Sequence, residues 1–303
     1  VGYRLVISNT ETLILMTKRL FLHLAAFLCA VLTSMADTPQ LCRLNFSDTV
    51  RTYRMYIPDG LNEGAPLCIY LHGYSSKTRW VKDLNDAADR HGYAICYPDG
   101  APDSKGKDGW DVGYPTQYNM RGDDALFLKA LISEVCSKYD LDRENVFCTG
   151  MSNGGDLIYQ ILYTEPELFK AYASVAGLTF CKVYLNKSLT SPVPLIEIHG
   201  TNDKVSMWNG DPDNTGGWGA YASVPVAVAA VAANNRCQSY RQEPVATKNN
   251  ALHNVTRHIY ADSPSGCDVE LYEVLGGTHS WHDKDIDTGE IVLSFFDRYM
   301  SKK

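Results

Sequence analysis

The period of apolar and polar positions changes several times along the chain, and each change marks an element. Residues 41–46 and 52–57 alternate apolar with polar, which predicts an antiparallel pair at a sheet edge. Residues 66–71 and 93–97 are unbroken apolar runs, the mark of strands buried on both faces. Between them residues 81–90 have helical spacing and stop at Gly92. A second helix carries Leu128, Leu131, Ile132, Val135 and Tyr139 on one face, with Asp123 or Asp124 placed to cap it. Strands are predicted again at 171–175, 195–199, 256–260 and 269–275, and an Ala/Val helix at 224–233. Ile291, Val292, Phe295, Phe296 and Tyr299 give a last helix its apolar face. Strands alternating with helices predict an α/β fold with a doubly wound, mostly parallel sheet and helices on both faces.

The most informative stretch is 145–155, NVFCTGMSNGG. Val146, Phe147 and Cys148 make a short buried strand. Gly150 to Gly154 spell G-x-S-x-G, and Leu157, Ile158, Ile161 and Leu162 then recur at helical spacing. Strand, tight turn with a serine at its tip, then helix is the setting of a nucleophile elbow. The glycines are needed for room, because the turn brings neighbouring backbone close to the serine.

A neutral hydroxyl is a poor nucleophile, so Ser152 requires a base and a carboxylate to orient that base. On such a sheet the order along the chain is Ser, acid, His. Asp203, in HGTND just past the 195–199 strand, is the candidate acid, with Asp211 and Asp213 as backups. His279, in GGTHSW after the 269–275 strand, is the candidate base, and His282 is its nearest competitor. The oxyanion donors are expected to be the N–H groups of Asn153 and of Tyr74, in the loop after the first central strand.

Composition adds limits. The 303 residues are 45% hydrophobic and 21% charged, as in a globular protein. Met16 to Arg19 form a basic start, residues 20–32 an apolar run, and Ser34-Met35-Ala36 a small-residue cleavage site; 16–36 therefore read as a secretory signal peptide and 1–15 as translated upstream sequence. Residues 1–36 hold three basic residues and one acidic residue, so removing them takes the net charge from −7 to −9. An acidic chain argues against nucleic acid and anionic membrane surfaces as partners. The remaining 37–303 suit one domain. Eight of the nine cysteines would enter an oxidising compartment, and spacing alone leaves their pairing open. Cys237 and Cys267, flanking a polar loop-rich segment, are the expected disulfide. No C-x-x-C or H-E-x-x-H occurs, so neither a metal nor another cofactor is expected. Asn45, Asn186 and Asn254 open N-x-S/T sequons.

LHGYSS, TGMSNGG, HGTND and GGTHSW, in that order and spacing, resemble the secreted single-domain esterases grouped as feruloyl esterases, acetyl xylan esterases and polyhydroxybutyrate depolymerase-like proteins. The resemblance runs from about Leu41 to Tyr299. It implies an α/β-hydrolase fold, a triad of Ser152, Asp203 and His279, and a family disulfide at Cys237 and Cys267. It also implies activity on ester substrates, foremost hydroxycinnamoyl esters of plant cell-wall polysaccharide, by a secreted enzyme. One departure is His282 after Trp281, where the family commonly has proline. Trp110, Tyr114, Trp208 and Trp218 lie in loops expected above the sheet and are candidates for lining an aromatic substrate cleft. Acetylated xylan or a polyester is the alternative substrate. A prolyl oligopeptidase-type peptidase shares the elbow and triad order, and a catalytically inactive carbohydrate-binding protein is the non-enzymatic alternative.

Overall fold

The computed structural model describes residues 40–76, 80–120 and 122–301. The expected signal peptide and the upstream segment lie outside the described residues. Among those described, no helix is long and apolar enough to cross a membrane.

The strands are β1 (Cys42–Phe46), β2 (Thr49–Tyr56), β3 (Leu67–Leu71), β4 (Ala94–Pro98), β5 (Ala101–Pro102), β6 (Asp108–Gly109), β7 (Val146–Met151), β8 (Tyr172–Val175), β9 (Leu195–Gly200), β10 (Ser239–Val245), β11 (Val255–Ala261) and β12 (Val269–Val274). Except for the small β5–β6 pair, they join one sheet in the order β1-β2-β4-β3-β7-β8-β9-β12-β11-β10. The run from β4 to β12 is parallel. Antiparallel pairs close both edges, β1–β2 on one side and β11–β10 on the other. This is the doubly wound sheet the alternation predicts.

Strand alternation divides the core into two layers. Leu67, Ile69, Leu71, Val146 and Cys148 face helices Asp124–Lys138, Asn153–Thr164 and Val224–Asn234. Cys68, Tyr70 and Phe147 face helices Lys82–His91 and Thr288–Asp297. Asp123 caps helix Asp124–Lys138 by accepting from the Ala125 and Leu126 N–H groups. Asp124 has a different role: it turns inward to a buried ion pair with Arg51, 3.3 Å away.

Two expectations are corrected. The buried face of that helix includes Phe127 and Cys136, and Ile132 is only partly buried. The segment after Cys237, read as loop, contains the edge strand β10. Its residues SYRQEPV are mostly exposed, so no apolar alternation marks them.

Candidate active site

β7 delivers Ser152 to the carboxyl end of the sheet, where open α/β folds place their sites. The residue has φ 56° and ψ −122°, a left-handed conformation that a side chain rarely adopts. Ladder pairing with β3 and the Ser152 N–H bonded to Val175 O at 2.8 Å hold it there. Gly154 makes the turn possible, because a Cβ there would stand 2.1 Å from the Leu71 carbonyl oxygen.

Asp203 follows β9 and His279 follows β12, adjacent parallel strands. His279 Nδ1 lies 2.7 Å from Asp203 Oδ2. Asp203 Oδ1 accepts from the Val205 and Ser206 N–H groups at 2.7 and 2.9 Å. Burial pushes the Asp203 carboxyl up, but the His279 hydrogen bond and charge and the Val205 N–H outweigh it and hold it below its ordinary range. An ionised Asp203 needs a proton on His279 Nδ1, which makes Nε2 the free acceptor. Among the described residues the His279 ring is hydrogen-bonded only to Asp203, and it lines two adjoining pockets together with Ser152.

The competitors are placed elsewhere. His282 is buried, and burial together with the His199 charge lowers its pKa to about 4, so it is neutral and enclosed. Asp211 accepts from Thr215 and Gly216 within its own loop. Behind Asp203, fully buried His199 bridges Glu197 and the Ser206 carbonyl, both at 2.8 Å, and so braces the turn that presents Asp203. Asp83, on helix Lys82–His91, accepts from Trp281 Nε1 and Gly289 N, each at 2.8 Å, and so anchors the chain after His279.

Asn153 directly follows Ser152, and Tyr74 lines both pockets with it. Asn153 opens its helix, so its N–H has no acceptor within that helix. No acceptor among the described residues takes the Tyr74 N–H. His72 supports this loop: Nδ1 lies 2.8 Å from Gly73 O, and Nε2 accepts the Gly100 N–H at 2.8 Å. Its burial lowers its pKa and keeps it neutral.

Sequence reasoning missed the side chains that order the long connection of residues 99–120. The Asn153 amide pairs with Trp110 in both directions, accepting its N–H at 2.7 Å and donating to its C=O at 3.0 Å. Gln117 accepts the N–H groups of Val112 and Tyr114 and donates to Trp110 O. Asp103 accepts from Tyr74 Oη at 2.6 Å. Single polar residues among many give no local signal of such roles.

Two pockets meet at Ser152, Tyr74 and His279. One, of about 250 Å³, is lined by Tyr114, Leu178, Val205, Ser206 and Trp218. The other, of about 260 Å³, is lined by Tyr70, Trp80, Val81 and Met151 among others. Tyr74, Tyr114 and Trp218 contact one another with ring centroids 5.0–5.9 Å apart. A larger cavity of about 680 Å³ lies at the amino ends of the strands, between Val146, Lys170 and Pro194, and holds neither a histidine nor an elbow.

Residues 51–193 match the family model described as Esterase PHB depolymerase. That match takes in 143 of the 303 residues, Tyr74 and Ser152 among them. The curated "Putative esterase NocK" of Nocardia uniformis subsp. tsuyamanensis is 27% identical over 271 residues, covering 83% of this chain and 76% of that protein. Feruloyl esterase B of Thermothelomyces thermophilus is 30% identical over 141 residues, covering 45% of this chain and 47% of that one. The chain thus aligns with about half the length of the feruloyl esterase. The solved acetyl xylan esterase of Aspergillus awamori superposes with a TM-score of 0.54 at 17% identity, covering 86% of this chain and 99% of that one. At that identity the likeness shows the α/β-hydrolase fold alone.

Three expectations are corrected. Trp110 is fully buried: its indole Nε1–H donates to His72 O at 2.9 Å and its ring packs against the His72 ring, so it cannot line a cleft. Trp208 packs against His199 and lines neither pocket beside Ser152. Cys237 and Cys267 are free thiols, each turned to a carbonyl, Cys267 O and Ser265 O respectively, at 3.8 Å.

Proposed function

We propose that this chain is a secreted serine carboxylic-ester hydrolase that removes hydroxycinnamoyl groups from plant cell-wall polysaccharide. The observation that carries the reading is the strained Ser152 sharing two pockets with a His279 already held by Asp203. The basic start and apolar run of 16–36 support secretion.

In the proposed reaction, Ser152 Oγ attacks the ester carbonyl carbon as its proton passes to His279 Nε2. The carbonyl oxygen gains the negative charge and receives the Asn153 and Tyr74 N–H groups. The tetrahedral centre then collapses, the C–O bond to the alcohol breaks, and His279 returns the proton to the departing oxygen. Water repeats the sequence on the acyl-serine and releases the acid. Asp203 keeps the proton on Nδ1 and offsets the imidazolium charge. Each oxyanion donor contributes about 10²–10³ in rate, because it meets charge present only in the transition state.

The acyl preference rests on the aromatic pocket. At about 250 Å³ it is smaller than a typical drug-sized site of roughly 300–1,000 Å³, and its walls are Tyr74, Tyr114, Leu178 and Trp218. Space of that size and character suits one substituted ring. An acetyl group would leave it unfilled, and a polyester chain would run past it.

The test is a substrate panel of methyl ferulate, acetylated xylan and a hydroxybutyrate oligomer, with fluorophosphonate labelling of the parent and Ser152→Ala. Labelling lost in the variant and preferred turnover of methyl ferulate are expected. A parent chain that neither labels nor hydrolyses p-nitrophenyl acetate would refute the hydrolase reading.

A further inference from the structure

Asp156 lies one helical turn beyond Ser152, and its N–H donates to Ser152 O at 2.8 Å. Its side chain is 1% exposed and plays no part in the triad. It faces the aromatic pocket from behind. Oδ1 accepts the Leu178 N–H at 2.7 Å, and Oδ2 accepts the Tyr114 hydroxyl in a short bond. Leu178 and Tyr114 are both walls of that pocket. Tyr114 in turn contacts Trp218 at 5.0 Å and Tyr74 at 5.6 Å, ring to ring. Tyr74 also supplies an expected oxyanion N–H. One carboxyl therefore ties the nucleophile's own helix to two walls that come from separate loops.

A carboxyl in this place is expensive. Burial raises its pKa to about 8, so at neutral pH the site works against its ionisation. A leucine would fill comparable space without that penalty. It would also leave the Leu178 N–H and the Tyr114 hydroxyl without an acceptor.

We infer that Asp156 is a positioning residue that sets acyl-group selectivity by fixing Tyr114 and Leu178 relative to Ser152. The inference rests on the hydrolase reading of Ser152. An acetyl group does not reach these walls, whereas a ring-bearing acyl group contacts them throughout. Loss of the carboxyl acceptor therefore acts on binding of the large acyl group and much less on the chemistry at Ser152.

The experiment compares p-nitrophenyl ferulate with p-nitrophenyl acetate for the parent, Asp156→Ala, Asp156→Asn and Tyr114→Phe, with fluorophosphonate labelling as an independent count of reactive Ser152. In Asp156→Ala the ferulate-to-acetate ratio of kcat/KM is expected to fall about tenfold or more, mainly through KM for ferulate. Asp156→Asn retains an acceptor for Leu178 and should return the ratio to within about threefold of the parent. Tyr114→Phe removes only the hydroxyl, leaves the elbow untouched, and should lower the ratio part of the way. It carries the test alone if Asp156→Ala does not fold. An equal loss on both esters, or an unchanged ratio in Tyr114→Phe and Asp156→Ala with labelling intact, overturns the role of Asp156 and leaves the hydrolase reading standing. A parent that does not label overturns both.

Discussion

Gly154→Ala sets two known effects against each other. Alanine is favoured over glycine within a helix by about 1 kcal/mol. Against this, the new Cβ would lie 2.1 Å from Leu71 O, 2.6 Å from Leu71 C and 2.8 Å from Leu71 Cβ. The first two are backbone atoms, so no rotamer change relieves the clash. Helix and strand must part by about an ångström to reach ordinary contact, and overpacking of this kind costs about 1–3 kcal/mol. The upper end applies, because Leu71 is held in the ladder opposite Gly150. The clash wins, with a net loss of about 1–2 kcal/mol. The kinetic effect is larger. Leu71 leads directly into His72-Gly73-Tyr74, so the same shift moves the Tyr74 N–H away from the Asn153 N–H. A misplacement of about 1 Å can cost roughly 10²-fold in rate. Urea unfolding and kcat on p-nitrophenyl acetate measure the two effects. Gly60→Ala is the control: its φ of +72° strains any side chain, but nothing lies within 4 Å of the new Cβ. It should lose about 1–2 kcal/mol and keep its kcat. Parent-like kinetics in Gly154→Ala, or equal rate losses in both variants, would refute the argument.

Asp203→Asn should lower kcat by on the order of 10³–10⁴ with KM little changed, because the amide no longer fixes the His279 tautomer; a loss below tenfold would exclude Asp203 as the acid. Arg51→Met strands a buried Asp124 carboxylate and should cost about 3–5 kcal/mol in urea unfolding, much of it recovered in Arg51→Met/Asp124→Leu. Asp156 predicts a pH dependence. Burial, with Glu197 adding and His199 opposing, raises its folded pKa to about 8. The folded chain therefore holds this proton more tightly than the unfolded chain, where the pKa is near ~3.9. Its contribution is fully present below about pH 4 and is lost as pH rises through about 8. The unfolding free energy of the parent relative to Asp156→Asn, read by urea unfolding, should fall between pH 5 and 8, with a slope of at most ~1.4 kcal/mol per pH unit. A gap independent of pH would show that the carboxyl is not the titrating group.

Much of this site is legible in the chain because its signals are local. An elbow needs a strand, glycines and a helix within about a dozen residues, and 145–155 supplies them. Asp203 and His279 could be chosen because each directly follows an apolar strand, and parallel strands in one sheet bring their carboxyl ends to one rim. Even the edge pair β1–β2 was readable, since exposure on one face leaves alternation in the sequence.

Burial, by contrast, depends on what returns from far along the chain. Trp110 sits among glycines and aspartates and looks exposed, but Asn153 and His72, 43 and 38 residues away, enclose it. Asp156 reads as an ordinary polar helix residue until Tyr114 and Leu178 arrive from 42 and 22 residues away. Cys237 and Cys267 read as partners because they flank a polar segment, and the direction each thiol takes depends on the carbonyl next to it. Periodicity encodes which face of an element turns inward, so the fold could be read from it, and with the fold the strand ends that carry Ser152, Asp203 and His279. The carboxyl behind the pocket, the amide that stitches a loop and the aromatic that is core are set by long-range contacts, and periodicity carries no record of those.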